Sequence, residues 1–204
     1  MNNIILIEPQ YLPPISFFKM IKNCKGLQIE MYEHYIKSSF RNRCYIPGAN
    51  GVMTLSIPLE KGKFQPHTAM KDVMICKNSK WQSEHWKAIM YLYKKSPYFE
   101  YYEADFKSIF QTEFTYLAEL NIEFIKLIIK LLQLNIEISF TTEYQKNILL
   151  AIDKRNSIKP NLIFKSDEQF PKYYQVFEDK IGFKPNMSII DLLFLEGNNA
   201  ISLL

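Results

Sequence analysis

Ile4 to Ile7 is an unbroken run of branched aliphatic residues that ends in Glu8 and Pro9, with two further prolines at positions 13 and 14. So short and so apolar a run, closed by residues that resist helix, reads as a strand buried on both faces. Residues 15–23 carry Phe17, Phe18, Met20 and Ile21 and read as a helix ended by Cys24 to Gly26, and residues 27–32 alternate as a second strand. Strand, helix and strand within about 30 residues suit a parallel βαβ unit. The expected class is therefore α/β, a single mixed or parallel sheet with flanking helices and a helix-rich middle segment.

The middle of the chain supplies those helices. A loop rich in charge and aromatic rings follows residue 33 and leads to a strand at 52–57 that Pro58 stops. Residues 61–68 read as a polar turn and 73–76 as a short strand. In the helix expected at 80–95, Trp81, His85 and Ile89 lie four apart on one side. Residues 99–110 read as a broken helix and 113–134 as a long one with a broad apolar side. Further on, a strand is expected at 136–140, a helix capped by Thr141 or Thr142 over 143–155, strands at 162–164 and within 170–177, and a helix at 186–196 closed by Gly197. No repeat or linker divides the 204 residues, so one domain, 1–204, is expected. A chain of that length buries roughly 70% of its unfolded surface and needs no metal or disulfide to hold a core.

Several function classes are set aside by what is missing. The sequence has only 6 glycines and contains neither GxGxxG nor GxxxxGK[ST], which argues against the familiar dinucleotide and P-loop sites. A formal charge of +4 without a sustained basic stripe argues against nucleic acid as a partner. Cys24, Cys44 and Cys76 are odd in number and fit no disulfide framework. The start lacks the basic segment of a signal peptide, and the most apolar stretch, 122–134, is broken by Glu123, Lys126 and Lys130, so a cytoplasmic protein that is not integral to a membrane is expected. His34, His67 and His85 stand far apart with no HExxH or CxxC, which leaves the expected metal and cofactor complement at none. The 15% of aromatic residues fits a polar, aromatic-lined groove as well as a plain core.

Three clusters carry possible chemistry. Glu8, Gln10 and Tyr11 follow the first strand, where a parallel sheet brings ligands to its carboxyl edge; the plainer reading is a rigid polar turn. His34, Tyr35, Lys37, Arg41, Asn42 and Arg43 offer two guanidinium forks for a phosphate, diphosphate or carboxylate, against a solvated basic loop. Trp81, His85, Lys87 and Tyr91 place a histidine of suitable basicity on a helix, which reads as a general base or as a packing residue. Cys44, beside Arg41 and Arg43, has two readings as well, an activated thiolate or a buried structural cysteine.

Taken together, Glu8-Pro-Gln-Tyr-Leu-Pro, Arg41-Asn42-Arg43, the stretch WQSEHWK from Trp81, Ser96-Pro-Tyr-Phe and the closing NMSIIDLLFLEGN resemble the WbqC-like protein family, and its shorter branch most, in their order and spacing. The resemblance runs from the N-terminus to about Asn198. It implies a place in O-antigen or related surface-polysaccharide biosynthesis and the transfer of a glycyl, aminoacyl or acyl group to a sugar, with a noncatalytic scaffold or regulator of glycan assembly as the alternative. The residue clusters themselves make His85, Glu8 and Tyr11 the catalytic candidates, with His85 as base toward a sugar hydroxyl or amine. Gln10, His34, Lys37, Arg41, Asn42, Arg43, Trp81, Tyr91 and Gln175 are substrate-binding candidates. The expected partners are an activated sugar or acyl donor with an anionic group and either a glycosyltransferase or a second copy of the chain. Two departures stand out: Glu8-Pro9 and Pro14-Ile15-Ser16 replace a glutamine-proline start and a Trp-Gly pair, and a glycine-containing segment of longer members is missing between Lys154 and Tyr173.

Overall fold

The structure, a computed structural model, describes residues 3–60, 67–163 and 170–204. In chain order the elements are β1 (Ile4–Ile7), α1 (Ile15–Ile21), β2 (Gly26–Ile29), β3 (Arg43–Gly48), β4 (Gly51–Ser56), α2 (Trp81–Tyr93), α3 (Phe99–Gln111), α4 (Leu117–Leu131), β5 (Glu137–Phe140), β6 (Ile152–Asp153), α5 (Pro160–Ile163), α6 (Glu178–Ile181) and α7 (Ile189–Glu196). Short 3-10 turns lie at Met70–Asp72 and Gly197–Leu203.

The βαβ unit forms as its residues dictate. β1 pairs with β2 in parallel, Ile4 opposite Gly26 through Ile7 opposite Ile29, and Leu6, Ile7, Leu27 and Ile29 are fully enclosed. β5 adds to β2 and β6 adds to β1, both in parallel, giving the order β5-β2-β1-β6. The sheet is thus parallel throughout, and the antiparallel pairing sits in a separate hairpin of β3 and β4. All four strands of the parallel sheet end on one edge.

Proline at the N-cap of α1 has no side chain to accept from the helix's first amides. Asn186 supplies the acceptor from the far end of the chain, its Oδ1 taking the Ser16 N–H at 2.8 Å. Ser188 donates to the Leu12 carbonyl at 2.8 Å, and backbone bonds join Ile15 to Met187 and Ile189 to Pro13. The Asn-Met-Ser of the closing motif is therefore a clamp on the turn after β1.

The aromatic residues make a core. Phe106 meets Phe124 and Phe194 at ring separations of 6.2 and 5.3 Å, Phe110 meets Phe124 at 5.2 Å, and Phe99 meets Phe194 at 5.1 Å. These rings lock α3, α4 and α7 together through edge-on and offset contacts. Among the described residues the main apolar cluster reaches from Ile5 to Leu204, and a small second one joins Phe40 and Met187. Among the described residues no helix is long and apolar enough to cross a membrane.

Gly197 ends α7 with φ +56° and ψ −130°, a conformation for which side chains other than hydrogen are poorly suited. A Cβ there would lie 2.4 Å from the Tyr98 ring, whose backbone is tied to Phe194. Gly197→Ala should cost about 1–3 kcal/mol by overpacking and strain. Urea unfolding with an unchanged midpoint would contradict this.

Several expectations are corrected. Residues 99–110 form a continuous helix, α3, and 73–76 make isolated bridges, Leu59 with Ile75 and Met74 with Tyr116. The loop after residue 33 contains β3, because Ala49 and Asn50 turn the chain and Gly51, at φ +127°, lets β4 return against it. No helix forms over 143–155; the segment is a loop that comes back as β6. No strand forms in the described part of 162–164, where α5 runs, or in 170–177. Most of the turn expected at 61–68, and Phe164, lie outside the described residues.

Candidate functional site

Glu8 is the residue after β1, Glu30 the residue after β2, and Arg155 and Asn156 follow β6. Parallel pairing puts all of them on the same edge of the sheet, the edge where open α/β sheets take ligands. Glu8 accepts from Gln10 Nε2 through Oε1 and from the Asn156 backbone N–H through Oε2, each at 2.9 Å. Asn156, held at φ +59°, donates its Nδ2 to Glu33 at 3.2 Å and accepts from Arg41 at 2.8 Å. Arg41 also ion-pairs with Glu33. Glu30 accepts from the Tyr32 N–H at 2.9 Å, Thr141 Oγ1 at 3.0 Å and Arg155 at 2.9 Å. Arg155 grips Asp153 as well, at 3.0 and 2.7 Å, over the ring of Tyr144.

Glu8, Glu30, Glu33 and Arg41 are all at most 5% exposed. Burial raises the Glu33 carboxyl above its ordinary value, Arg41 opposes the rise and Glu8 adds to it. Bonds from Arg155 hold Asp153 below the ordinary range.

A second feature marks this edge. Among the described residues the buried polar atoms without a hydrogen-bond partner are seven, and Gln10 Oε1, Arg41 Nε, Asn42 Oδ1, Arg43 Nε and Asn121 Oδ1 are five of them. Asn121 donates to the carbonyls of Pro9 at 3.2 Å and Arg41 at 2.7 Å, which ties it to the backbone next to Gln10 and Asn42. Unpaired buried donors and acceptors are rare and costly, and two donors beside three acceptors match a ligand with an anionic oxygen and hydroxyl or amine groups. A groove of about 430 Å³ adjoins the same edge, lined by Gln28, Glu30, Thr141 and the loop to Leu150.

The structure brings Glu8, Gln10 and Arg41 together. Burial raises the Tyr35 phenol, and the guanidinium groups of Arg43 and Arg41 both act against that rise. Asn42 donates to the Ile57 carbonyl at 3.0 Å and ties the arginine turn to the end of β4. Tyr11 and His85 form a buried pair, hydroxyl to Nδ1 at 2.8 Å, against Trp81 at ring distances of 6.4 and 5.3 Å. The His85 ring also bonds the Ser56 backbone, so with that N–H engaged Nδ1 is left as the acceptor for Tyr11. Burial lowers His85 to about 4, which holds it neutral at pH 7. Tyr11 is pushed well above its ordinary value by burial.

The remaining candidates lie elsewhere. His34 and Lys37 are exposed, His34 against His67. Tyr91, 79% exposed, lines a cleft with the β3–β4 turn. Gln175 belongs to a second buried network, donating to Asp191 at 2.8 Å, to the Tyr173 hydroxyl at 3.0 Å and to the Lys184 carbonyl at 2.9 Å. The activated-thiolate reading of Cys44 is overturned, since the residue is fully enclosed and burial pushes its thiol up. Sequence reasoning missed Glu30, Glu33, Asn121, Arg155 and Asn156. Glu30 was open to the strand-end argument that singled out Glu8; Arg155 was hidden by the helix expected over 143–155, and Asn156 directly follows that helix.

The model of the WbqC-like protein family matches residues 8–161, which takes in every residue of the strand-edge cluster and leaves out the Gln175–Asp191 network. The chain is also 22% identical over 228 positions to the uncharacterized protein Rv1507c of Mycobacterium tuberculosis, with 98% of this chain and 96% of the relative covered. No solved structure matches.

Proposed function

The chain belongs to the WbqC-like protein family, and from that premise we propose that it is a small-group transferase that moves a glycyl, aminoacyl or acyl group onto a sugar in surface-polysaccharide or O-antigen biosynthesis. The observation that carries the reading is the set of unpartnered buried atoms on Gln10, Arg41, Asn42, Arg43 and Asn121 beside the paired Glu8 and Glu33. Arg41 and Arg43 hold the anionic part of the activated donor through their free Nε donors. Gln10, Asn42 and Asn121 accept from hydroxyls or an amine of the acceptor.

Glu8 is the base of this proposal. Gln10 and the Asn156 amide fix one oxygen each, and a carboxylate so oriented takes the proton of an acceptor hydroxyl or amine as that group attacks the donor's carbonyl; the tetrahedral adduct then collapses, the bond from the carbonyl carbon to the donor's thiol or phosphate oxygen breaks, and Glu8 returns the proton to that leaving group. His85, neutral and bonded at both ring nitrogens, is assigned with Tyr11 to positioning: the Tyr11 N–H bonds the Phe40 carbonyl at 2.8 Å and sets the turn after β1 against the arginine turn. Glu8→Gln should abolish product formation, read by mass spectrometry of the acceptor, while donor binding persists; unchanged turnover, or product lost only because the donor no longer binds, would contradict the assignment.

A scaffold role is the second reading, favoured by Tyr91 and Tyr101, 79% and 77% exposed. Under it, Tyr91→Ala with Tyr101→Ala lowers glycan output and Glu8→Gln does not.

A further inference from the structure

His34 and His67 are 33 residues apart in sequence, and their Nδ1 atoms are 3.2 Å apart in space. An antiparallel bridge between His34 and Ala69 holds them there, with the Tyr35 N–H on the Thr68 carbonyl and the Met70 N–H on the Glu33 carbonyl, both at 2.9 Å. His67 sits at φ +85°, outside the conformations side-chain-bearing residues prefer. The spacing argument that set metals aside counts ligands along the chain, and this bridge gathers two of them across it.

We propose that His34 and His67 form a two-imidazole site for a divalent metal ion of the Zn²⁺ kind. Imidazole nitrogens bind Zn²⁺ at about 2.0–2.1 Å, so two of them 3.2 Å apart subtend about 100–106° at the ion, close to tetrahedral. A square-planar ion at about 2.0 Å requires roughly 2.8 Å between neighbouring nitrogens, which the pair does not offer. The rings cross at 62° with centroids 4.7 Å apart and do not stack face to face. Both residues are exposed, and among the described residues no group of three histidine, cysteine or acidic side chains is poised for a metal, so water fills the other positions and the ion exchanges readily. His34 directly follows Glu33 of the strand-edge cluster, which places the ion beside that site in the chain.

The competing account of the 3.2 Å contact is one N–H···N hydrogen bond, and metal titration separates the two. ZnCl₂ added to the full chain in a calorimeter should bind one equivalent, and Co²⁺ should give the intense visible bands of a tetrahedral ion. His34→Gln and His67→Gln should each weaken both responses at least about tenfold. Both positions are on the surface, so their unfolding midpoints without metal should stay at the wild-type value. Cys76, a half-buried free thiol, is the alternative ligand, and Cys76→Ser should change nothing. The proposal is overturned if wild type gives neither heat nor Co²⁺ bands with excess metal, if the double histidine variant binds as wild type does, or if Cys76→Ser removes binding.

Discussion

Arg41→Met should destabilise the protein by about 3–5 kcal/mol in urea unfolding at neutral pH, the cost of leaving Glu33 buried and uncompensated. The Glu33 carboxyl is raised by burial even with Arg41 beside it, so desolvation weighs against its charged form. Adding Glu33→Met to Arg41→Met should therefore recover most of the loss, because a buried ion pair replaced on both sides by apolar groups is near neutral. A double variant as unstable as the single one would show that Arg41 stabilises through Asn156 and the turn instead. An ion pair of this kind, next to two unpaired guanidinium nitrogens, is poor stability design and suits a site kept for a ligand.

The second large effect is a pair of opposed pH dependences. His85 falls from 6.5 to about 4 on folding, so its neutral form is favoured; that contribution is present above pH 6.5 and is lost as pH falls towards 4. Asp191 rises from 3.8 to about 6, because burial outweighs the bonds from Tyr173, Tyr93 and Gln175; its contribution is present below pH 3.8 and is lost as pH rises through 6. Each shift corresponds to roughly 3 kcal/mol, and between pH 4 and 6 the two slopes, about 1.4 kcal/mol per pH unit, have opposite signs. In wild type they offset each other. Relative to wild type, His85→Gln should therefore gain about 3 kcal/mol as pH is lowered from 6.5 to 4, and Asp191→Asn should lose about as much from 6 to 4. Asparagine faces the Gln175 amide with a donor of its own, so the slope and not the absolute stability of that variant is the readout. Unfolding curves that run parallel to wild type in pH would contradict both assignments.

Three elements were legible because local pattern and tertiary demand agree in them. The aliphatic run of β1, the helix of α1 and the apolar side of α4 lie where their residues put them. Residues 143–155 show the opposite case. Their pattern of Ile148, Leu149 and Leu150 reads as a helix side, yet Leu149 and Leu150 are 94% and 85% exposed, and the chain instead extends to pair with β1, placing the Lys154 N–H on the Leu6 carbonyl at 2.8 Å. What draws it there is Arg155 on Glu30 and Asn156 on Glu8 and Glu33, contacts across more than 120 residues that no window of sequence contains. For the site, residue type identified Glu8, Gln10 and Arg41, while the pairing of His85 with Tyr11 and the Ser56 backbone joins residues far apart in the chain, which periodicity does not give.

Donor binding is the measurement that bears most directly on the strand-edge site. Thermal unfolding of wild type across nucleotide sugars, acyl-CoAs and aminoacyl donors, beside Arg43→Gln, uses an arginine that is half-buried and outside the Glu33 ion pair. One donor class at about 100 times its Kd should raise the midpoint by roughly 5–10 °C in wild type, and Arg43→Gln should remove most of that shift while keeping the ligand-free midpoint. No shift with any class, or a shift that Arg43→Gln leaves whole, would contradict an anion site at this edge.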